Sequence, residues 1–231
     1  MDVVPGEEMR TLAIEEARAF YDRFGSKQDR QSFYEVPALD ALVAHAALPE
    51  ARSVFELGCG TGRFAETLLA RHLPPDARYL GVDISSTMIA LAARRLAPFA
   101  SRARVQQVAG EPRFPAADGA FDRVISTYVL DLLPEPAIRE VLCEARRVLA
   151  PGGLLCVAGI THGSTATSRA VMGAWQWLFA RKPAWLGGCR PLALEDSMSD
   201  EWEIHFRGAL VAFGIASEVI VARAAPRTGG G

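Results

Sequence analysis

Long apolar runs are missing from this 231-residue sequence. No stretch of about 18 uncharged apolar residues occurs, so no segment reads as a membrane-spanning helix. An excess of one charge is missing too. Lys and Arg number 25 against 27 Asp and Glu, a formal net charge of −2, so no basic field is available to hold a phosphate backbone and nucleic acid is not the expected partner. Cysteine is sparse. Cys59, Cys143, Cys156 and Cys189 are scattered and form no C-x-x-C pair. The first three, in a tight turn, a helix and a strand, read as buried thiols in a reducing compartment; no metal site or disulfide framework is expected. The opening MDVVPGEEMRTLAIEE has neither the charged-then-apolar order of a secretion signal nor an Arg-rich targeting helix, so the expected location is the cytoplasm.

What is present is an alternation of two periodicities. From Glu7 to Phe24 apolar residues recur at helical spacing until Gly25, and a second helix opens with Pro37 in its first turn. Beyond Arg52 come short, nearly continuous apolar runs: Val54–Leu57, Tyr79–Val82, Val105–Val108, Val124–Ser126 and Leu154–Ile160. Strands buried on both faces of a parallel sheet read this way. Amphipathic helices are expected between them, over Phe64–Arg71, Thr87–Leu96 and Ile138–Leu149, the last ended by Pro151-Gly152-Gly153. Further on, Thr165–Phe179 reads as a helix, Pro183–Pro191 as a loop, and Glu203–Phe213 with Glu218–Arg223 as a hairpin joined across Gly214–Ser217. No repeat and no linker composition interrupts the chain, so a single α/β domain is expected.

The segment from Val54 to Phe64, Val-Phe-Glu-Leu-Gly-Cys-Gly-Thr-Gly-Arg-Phe, sits where the first strand hands over to a helix. Glycines there let backbone amides approach a ligand closely, and the helix start favours electron-rich groups. A dinucleotide fingerprint, G-x-G-x-x-G, would need glycine where Arg63 stands. Gly81-Val82-Asp83 closes the second strand. A carboxylate there can accept both hydroxyl hydrogens of a ribose, or cap the following helix, although Ser85 and Ser86 can cap it without Asp83.

With these two motifs stands a third: Phe121-Asp122-Arg123-Val124-Ile125-Ser126, then Thr127-Tyr128-Val129-Leu130, a helix carrying Glu144 to Leu149, and Ala150-Pro151-Gly152-Gly153. In this order and spacing they resemble class I S-adenosylmethionine methyltransferases, more narrowly the broad group that includes the ubiquinone and menaquinone enzymes and many small-molecule methyltransferases. The resemblance covers about residues 50 to 160. It implies a Rossmann-like, doubly wound sheet of seven strands, mostly parallel with an antiparallel C-terminal hairpin strand, helices on both faces and an N-terminal helical lid. The expected regions are a helical cap at 1–48, a cofactor-binding core at 50–160, and an acceptor-side helix with the terminal hairpin at 161–231.

Carried over position by position, the resemblance puts Gly58, Cys59, Gly60 and Gly62 beside the methionine moiety and Glu56 toward its ammonium. Asp83 matches the ribose carboxylate, Ile84 and Met88 flank adenine, and Ser126 and Thr127 line the amino-acid tail. Many relatives place an aspartate in a G-D pair near the adenine amino group. Ala109-Gly110-Glu111-Pro112 stands here instead, leaving that contact to Glu111 or to a backbone carbonyl. S-adenosylmethionine is the implied cofactor, S-adenosylhomocysteine its product, and a small molecule the implied acceptor.

Methyl transfer works largely through proximity and orientation, so it requires no dedicated residue. Candidates for assistance are Tyr128 and Asp131 after the fourth strand and His162 after the fifth, a histidine that could deprotonate an acceptor. Helix-start placement and solvent exposure are the plain alternatives for Asp131 and His162. Tyr21 on the first helix is a further cofactor-side candidate. Trp175, Trp177 and Trp185, beside Arg181 and Lys182, suit core packing, an aromatic or lipophilic acceptor pocket, or contact with a membrane surface. A protein or nucleic-acid methyltransferase is the alternative, as is a non-catalytic binding protein; the first lacks the proline pair typical of enzymes methylating adenine or amide nitrogens. No pattern sets an oligomeric state.

Overall fold

The computed structural model describes residues 13–25, 28–29, 33–111, 113–182 and 188–225. The apolar runs form one seven-stranded sheet. β1 (Ser53–Leu57), β2 (Arg78–Asp83), β3 (Ala103–Gln107), β4 (Phe121–Thr127) and β5 (Leu149–Ile160) lie parallel in the order β3-β2-β1-β4-β5. β7 (Ile215–Ala224) pairs antiparallel with β5, and β6 (Trp202–Ala212) covers its outer edge. The order reverses at β1, which pairs with β2 on one side and β4 on the other. Connections leaving in opposite directions open a crevice at the carboxyl ends of these strands.

Successive side chains along each central strand feed two separate cores. Val54, Ile125, Cys156 and Val221 join one cluster with α2 (Val36–His45) and α3 (Arg63–Thr67). Their neighbours Phe55, Val124, Leu155 and Ile220 join the other with α5 (Glu135–Val148). Leu42, Phe55, Leu68, Ile125 and Ile138 are each under 2% exposed. Fully burying such a side chain contributes roughly 1.5–3 kcal/mol. α4 (Ser86–Arg95) packs on β2 and β3, α6 (Ala166–Arg181) on β7, and α1 (Ile14–Phe24) on α4. The expected first helix reaches back to Glu7; residues 7–12 lie outside those described.

Several expectations are corrected. Pro151-Gly152-Gly153 does not terminate the fifth helix: α5 stops at Val148, and β5 already begins at Leu149. Leu149 pairs with Phe121 and Leu154 with Arg123, so β5 bulges outward over residues 150–153. A Cβ on Gly153 would meet carbonyl oxygens of Ala150 and Asp122 at 3.0 Å, which explains the glycine. The hairpin turn is shorter than Gly214–Ser217. Phe213 (φ 54°) and Gly214 (φ 82°) make the turn, and Ile215 already pairs with Ala212. Two left-handed residues match the twist of tightly joined strands. The third apolar run is an edge strand with exposed Arg104, Gln106 and Gln107, not one buried on both faces. Among the cysteines Cys59 and Cys156 are buried, but Cys143 is exposed on the outer side of α5.

Candidate active site

After β1 the chain turns through Gly58 and Gly62, both left-handed (φ 73° and 75°), into α3. A Cβ at Gly58 would lie 2.2 Å from Val129 Cγ2, and one at Gly62 would lie 3.0 Å from the Ala92 backbone. The turn is tied to the neighbouring strand because the Gly58 and Cys59 amides both donate to the Val82 carbonyl, at 2.8 and 3.0 Å. Two further amides aim the Asp83 carboxylate: Gly60 N–H donates to Oδ2 at 3.0 Å and Ser85 N–H to Oδ1 at 2.9 Å. Burial raises Asp83 above the ordinary aspartate range despite these bonds. The helix start is capped by Ser85 itself, which accepts from Met88 N–H, so Asp83 is not the cap.

Glu56, on β1, is 1% exposed. Its carboxylate accepts a 2.5 Å bond from the Tyr79 hydroxyl, yet burial pushes its pKa up to about 7. Gly81 makes this pair feasible: a Cβ there would lie 2.6 Å from the Tyr79 oxygen. Glu56 lines a cleft with Gly58, Gly60, Thr127 and Tyr128. Gln28, Asp29 and Glu35 close the cleft from the N-terminal side.

That N-terminal cover is fastened by charges the sequence did not single out. Asp22 accepts from the Ser85 hydroxyl (2.5 Å) and the Thr87 amide (3.2 Å). Arg18 donates to the Ala109 carbonyl at 2.9 Å, and a Cβ on Gly110 would lie 2.8 Å from Ile14. Asp29 accepts from the Thr61 hydroxyl (2.6 Å) and from Arg95 (2.7 Å). Burial would raise Asp29, but those two bonds outweigh it and hold the carboxyl low.

At the other end of the cleft, Tyr128 leaves β4 with φ 56°, a costly conformation for a residue with a side chain. Its hydroxyl lies 2.9 Å from Ser217 Oγ, and Tyr34 meets its ring edge-on with centroids 5.9 Å apart. Asp131 is fully buried. Its Oδ2 receives only a long, 3.4 Å contact from the Ile160 amide, and its Oδ1 has no hydrogen-bond partner among the described residues. Burial pushes its pKa up to about 7. Glu35 is likewise pushed up to about 7 by burial, with Arg63 acting against it. Tyr21 belongs to the same group: its phenol is raised by burial and by Cys189, Asp131 and Asp83 around it, and it shares a hydrogen bond with the Cys189 thiol.

Other singled-out residues stand elsewhere. His162 is exposed on the loop after β5, its ring nitrogen 3.5 Å from Gln176, so the structure does not bring it to Tyr128 and Asp131. Glu111 is exposed beyond the cover. Met88 is buried and Ile84 half-buried at the start of α4. Trp175 donates to the Cys189 carbonyl at 2.9 Å and packs with Cys189 and Tyr128 against Ile160, Met172 and Ala216. Trp177 is 58% exposed, with Arg181 over its ring, and His205 is exposed on β6. Trp185 lies outside the described residues.

The profile of a family described as a methyltransferase domain matches residues 54–153, from β1 through the bulge in β5. A trans-aconitate 2-methyltransferase of Methylobacterium nodulans is 38% identical over 140 residues, 60% of this chain and 47% of that protein. A tRNA N(3)-methylcytidine methyltransferase of Drosophila melanogaster is 29% identical over 150 residues, 61% of this chain and 46% of that protein. A solved structure from Thermotoga maritima, a SAM-dependent methyltransferase described as a possible histamine N-methyltransferase, shares the fold. Its TM-score is 0.64 at 24% identity, covering 88% of this chain and 98% of that one. The match places a methyltransferase domain at residues 54–153. The chain spans about half the length of the curated relatives it matches.

S-adenosylmethionine is the cofactor that the motifs and the methyltransferase-domain match imply, and the residues present fit that molecule. The glycine turn is a cradle that side chains would fill. Asp83 is pre-aimed by two amides and keeps lone pairs to accept further hydrogens. Gln28 Oε1 and Ser126 Oγ are buried at the same crevice without a hydrogen-bond partner among the described residues. Sequence motifs pointed to Glu56, the glycines and Asp83. They carried no signal for Asp22, Asp29, Tyr34, Glu35 or Cys189, which reach the crevice from distant segments.

Proposed function

We propose that this chain transfers a methyl group from S-adenosylmethionine to a small-molecule acceptor bearing a nitrogen, oxygen or carbon nucleophile. The observation that carries the small-molecule reading is the closure of the acceptor end by the chain's own residues. Tyr34 is 8% exposed and Asp131 is fully buried, and the Arg190 amide donates to the Asp131 carbonyl, tying the segment after α6 to this end. A small acceptor suits such enclosure among the described residues better than a polymer chain does, and the net charge of −2 supplies no general attraction for a phosphate backbone. The names of the relatives span a carboxylate, a nucleoside in RNA and an amine, so they do not select an acceptor.

Bound S-adenosylmethionine supplies an activated methyl group. The chain's own part is to bind, orient and exclude water. In this reading Asp83 accepts the ribose hydroxyls, Ile84, Met88 and Gly110 border the adenine, and Glu56 faces the ammonium of the methionine tail. The turn from Gly58 through Cys59 and Gly60 to Gly62, with Ser126 and Thr127, lines that tail, and Tyr21 closes over it. Holding two reactants in attack geometry lowers a barrier by up to about 7–11 kcal/mol in well-oriented systems. Tyr128 and Asp131 border the acceptor, and Asp131 serves as proton acceptor where the nucleophile must lose a proton. His162 and Glu111, both in solvent, have no part in this scheme.

Calorimetry with S-adenosylhomocysteine and NADH, on the wild type and Asp83→Ala, tests the cofactor half. Micromolar binding of the former, weakened at least tenfold by the substitution and absent for NADH, is expected. Labelled donor incubated with fractionated extract tests the other half. Label entering RNA or protein rather than small molecules would overturn the acceptor reading.

A further inference from the structure

We propose that the acceptor is a small primary or secondary amine, bound as its ammonium against Asp131 within walls made by Tyr21, Tyr34 and Tyr128. The inference deepens the small-molecule reading above and rests on it.

The surroundings of Asp131 at the exit of β4 are largely aromatic and apolar, and no described side chain forms a salt bridge with its carboxylate. Tyr34 and Tyr128 meet edge to face at 5.9 Å. Tyr128 also packs on the small cluster of Ile160, Met172 and Ala216. Into this surface Asp131 brings a fully buried carboxyl whose Oδ1 has no hydrogen-bond partner among the described residues and whose Oδ2 receives a long, 3.4 Å contact from the Ile160 amide. Gly159 adjoins it: a Cβ there would stand 3.7 Å from Asp131 Oδ1, in ordinary van der Waals contact.

No described cation forms a salt bridge with Asp131. The Arg190 guanidinium donates to the Leu133 carbonyl at 2.8 Å and acts on Asp131 by charge without a direct bond, working against the rise that burial causes. Arg63 acts on Glu35. A buried carboxylate lacking a partner is costly, and an ammonium satisfies it with both charge and donors. The faces of phenol rings add their attraction for a cation.

Other acceptor classes fit worse. A carboxylate acceptor would meet Asp131 and Glu35 as like charges. An alcohol or phenol brings no positive charge to offset the buried carboxylate. The amine avoids both conflicts. Its ammonium passes one proton to the Asp131 carboxylate, leaving a neutral amine with a free lone pair beside a neutral acid. The groups facing Asp131 that bear on this transfer are Tyr21, Tyr34, Glu35, Tyr128, Cys189 and Arg190.

The test is a binding measurement with matched skeletons. Phenethylamine, 2-phenylethanol and phenylacetate, with the corresponding butyl series, are titrated calorimetrically into the protein, with and without saturating S-adenosylhomocysteine. The amines should bind at least tenfold more tightly than the alcohols, and the acids not at all. Asp131→Asn should weaken the amines at least tenfold and leave the alcohols and S-adenosylhomocysteine within about twofold. Tyr34→Leu should weaken the amines more than the alcohols. Alcohols or acids binding as well as amines, or no amine of either series binding, overturns the proposal. So does an Asp131→Asn variant that loses S-adenosylhomocysteine but keeps the amines, since the carboxylate then serves the cofactor. Wild-type protein that fails to bind S-adenosylhomocysteine is a failure of the underlying reading, and amine selectivity measured without it remains a separate result.

Discussion

Glu56 offers a measurable consequence of placing a carboxylate at the centre of a sheet. Its carboxyl is pushed up to about 7 from an ordinary 4.5, by burial first, with the Tyr79 bond pulling the other way. Between those two values the folded protein holds a proton that the unfolded chain has released, so stability falls as pH rises through that window. A rise of this size corresponds to about 3 kcal/mol lost at pH 8, against about 1 kcal/mol at pH 5.5, from this group alone. Glu56→Gln keeps an oxygen that can accept from Tyr79 and removes the charge. The variant should therefore gain on the wild type by about 2 kcal/mol between pH 5.5 and pH 8. Urea unfolding of the cofactor-free protein at both pH values measures that difference directly, as a shift in midpoint at constant slope. Asp131 and Glu35 add slopes of the same sign to both proteins, so they cancel in the comparison. Parallel pH profiles for the two proteins would refute the assignment of a costly buried charge to Glu56.

Gly58→Ala adds a Cβ 2.2 Å from Val129 Cγ2 at a left-handed residue; it should cost about 2–4 kcal/mol in chemical denaturation, with the clash part recovered by Val129→Ala. Asp22→Ala with Asp29→Ala removes both fastenings of the N-terminal cover; amide exchange in α1 should quicken severalfold while β4 and β5 stay protected, and unchanged exchange would count against the fastening. Asp131 carries its charge above about 7, so methyl transfer at limiting acceptor should rise with pH up to a plateau near there. Asp131→Asn should abolish that rising limb in a kcat/KM profile, and a limb that survives would assign it to another group.

How much of this was legible depends on how local each cause is. The glycine turn declared itself because its constraints lie within a few residues and the adjoining strand: left-handed backbone, close approach to Val129, amides tied to Val82. The central strands were legible because both faces are buried, which leaves an unbroken apolar run. The misreadings arose where a residue type has two structural uses. Pro151-Gly152-Gly153 is a common helix stop, but here the helix has already ended and the glycines let β5 bulge against β4. Phe213 is a poor candidate for a left-handed turn residue, and its ring contact with Phe33, centroids 5.1 Å apart, lies far off in the chain.

The acceptor chamber shows the limit most clearly. Its parts come from α1, the segment before α2, the exit of β4 and the loop after α6, and of these the exit of β4 alone belongs to a motif. Asp131 could be flagged from its position after the fourth strand, but its chemistry follows from Gly159, Tyr34 and Tyr128 around it, and from Arg190 acting on it without a direct bond. The cofactor half rests on short-range backbone geometry, which a fixed spacing of glycines and carboxylates records. The acceptor half rests on what surrounds one carboxyl group in three dimensions, so Asp131 must be tested by its charge and surroundings rather than by its place in a pattern.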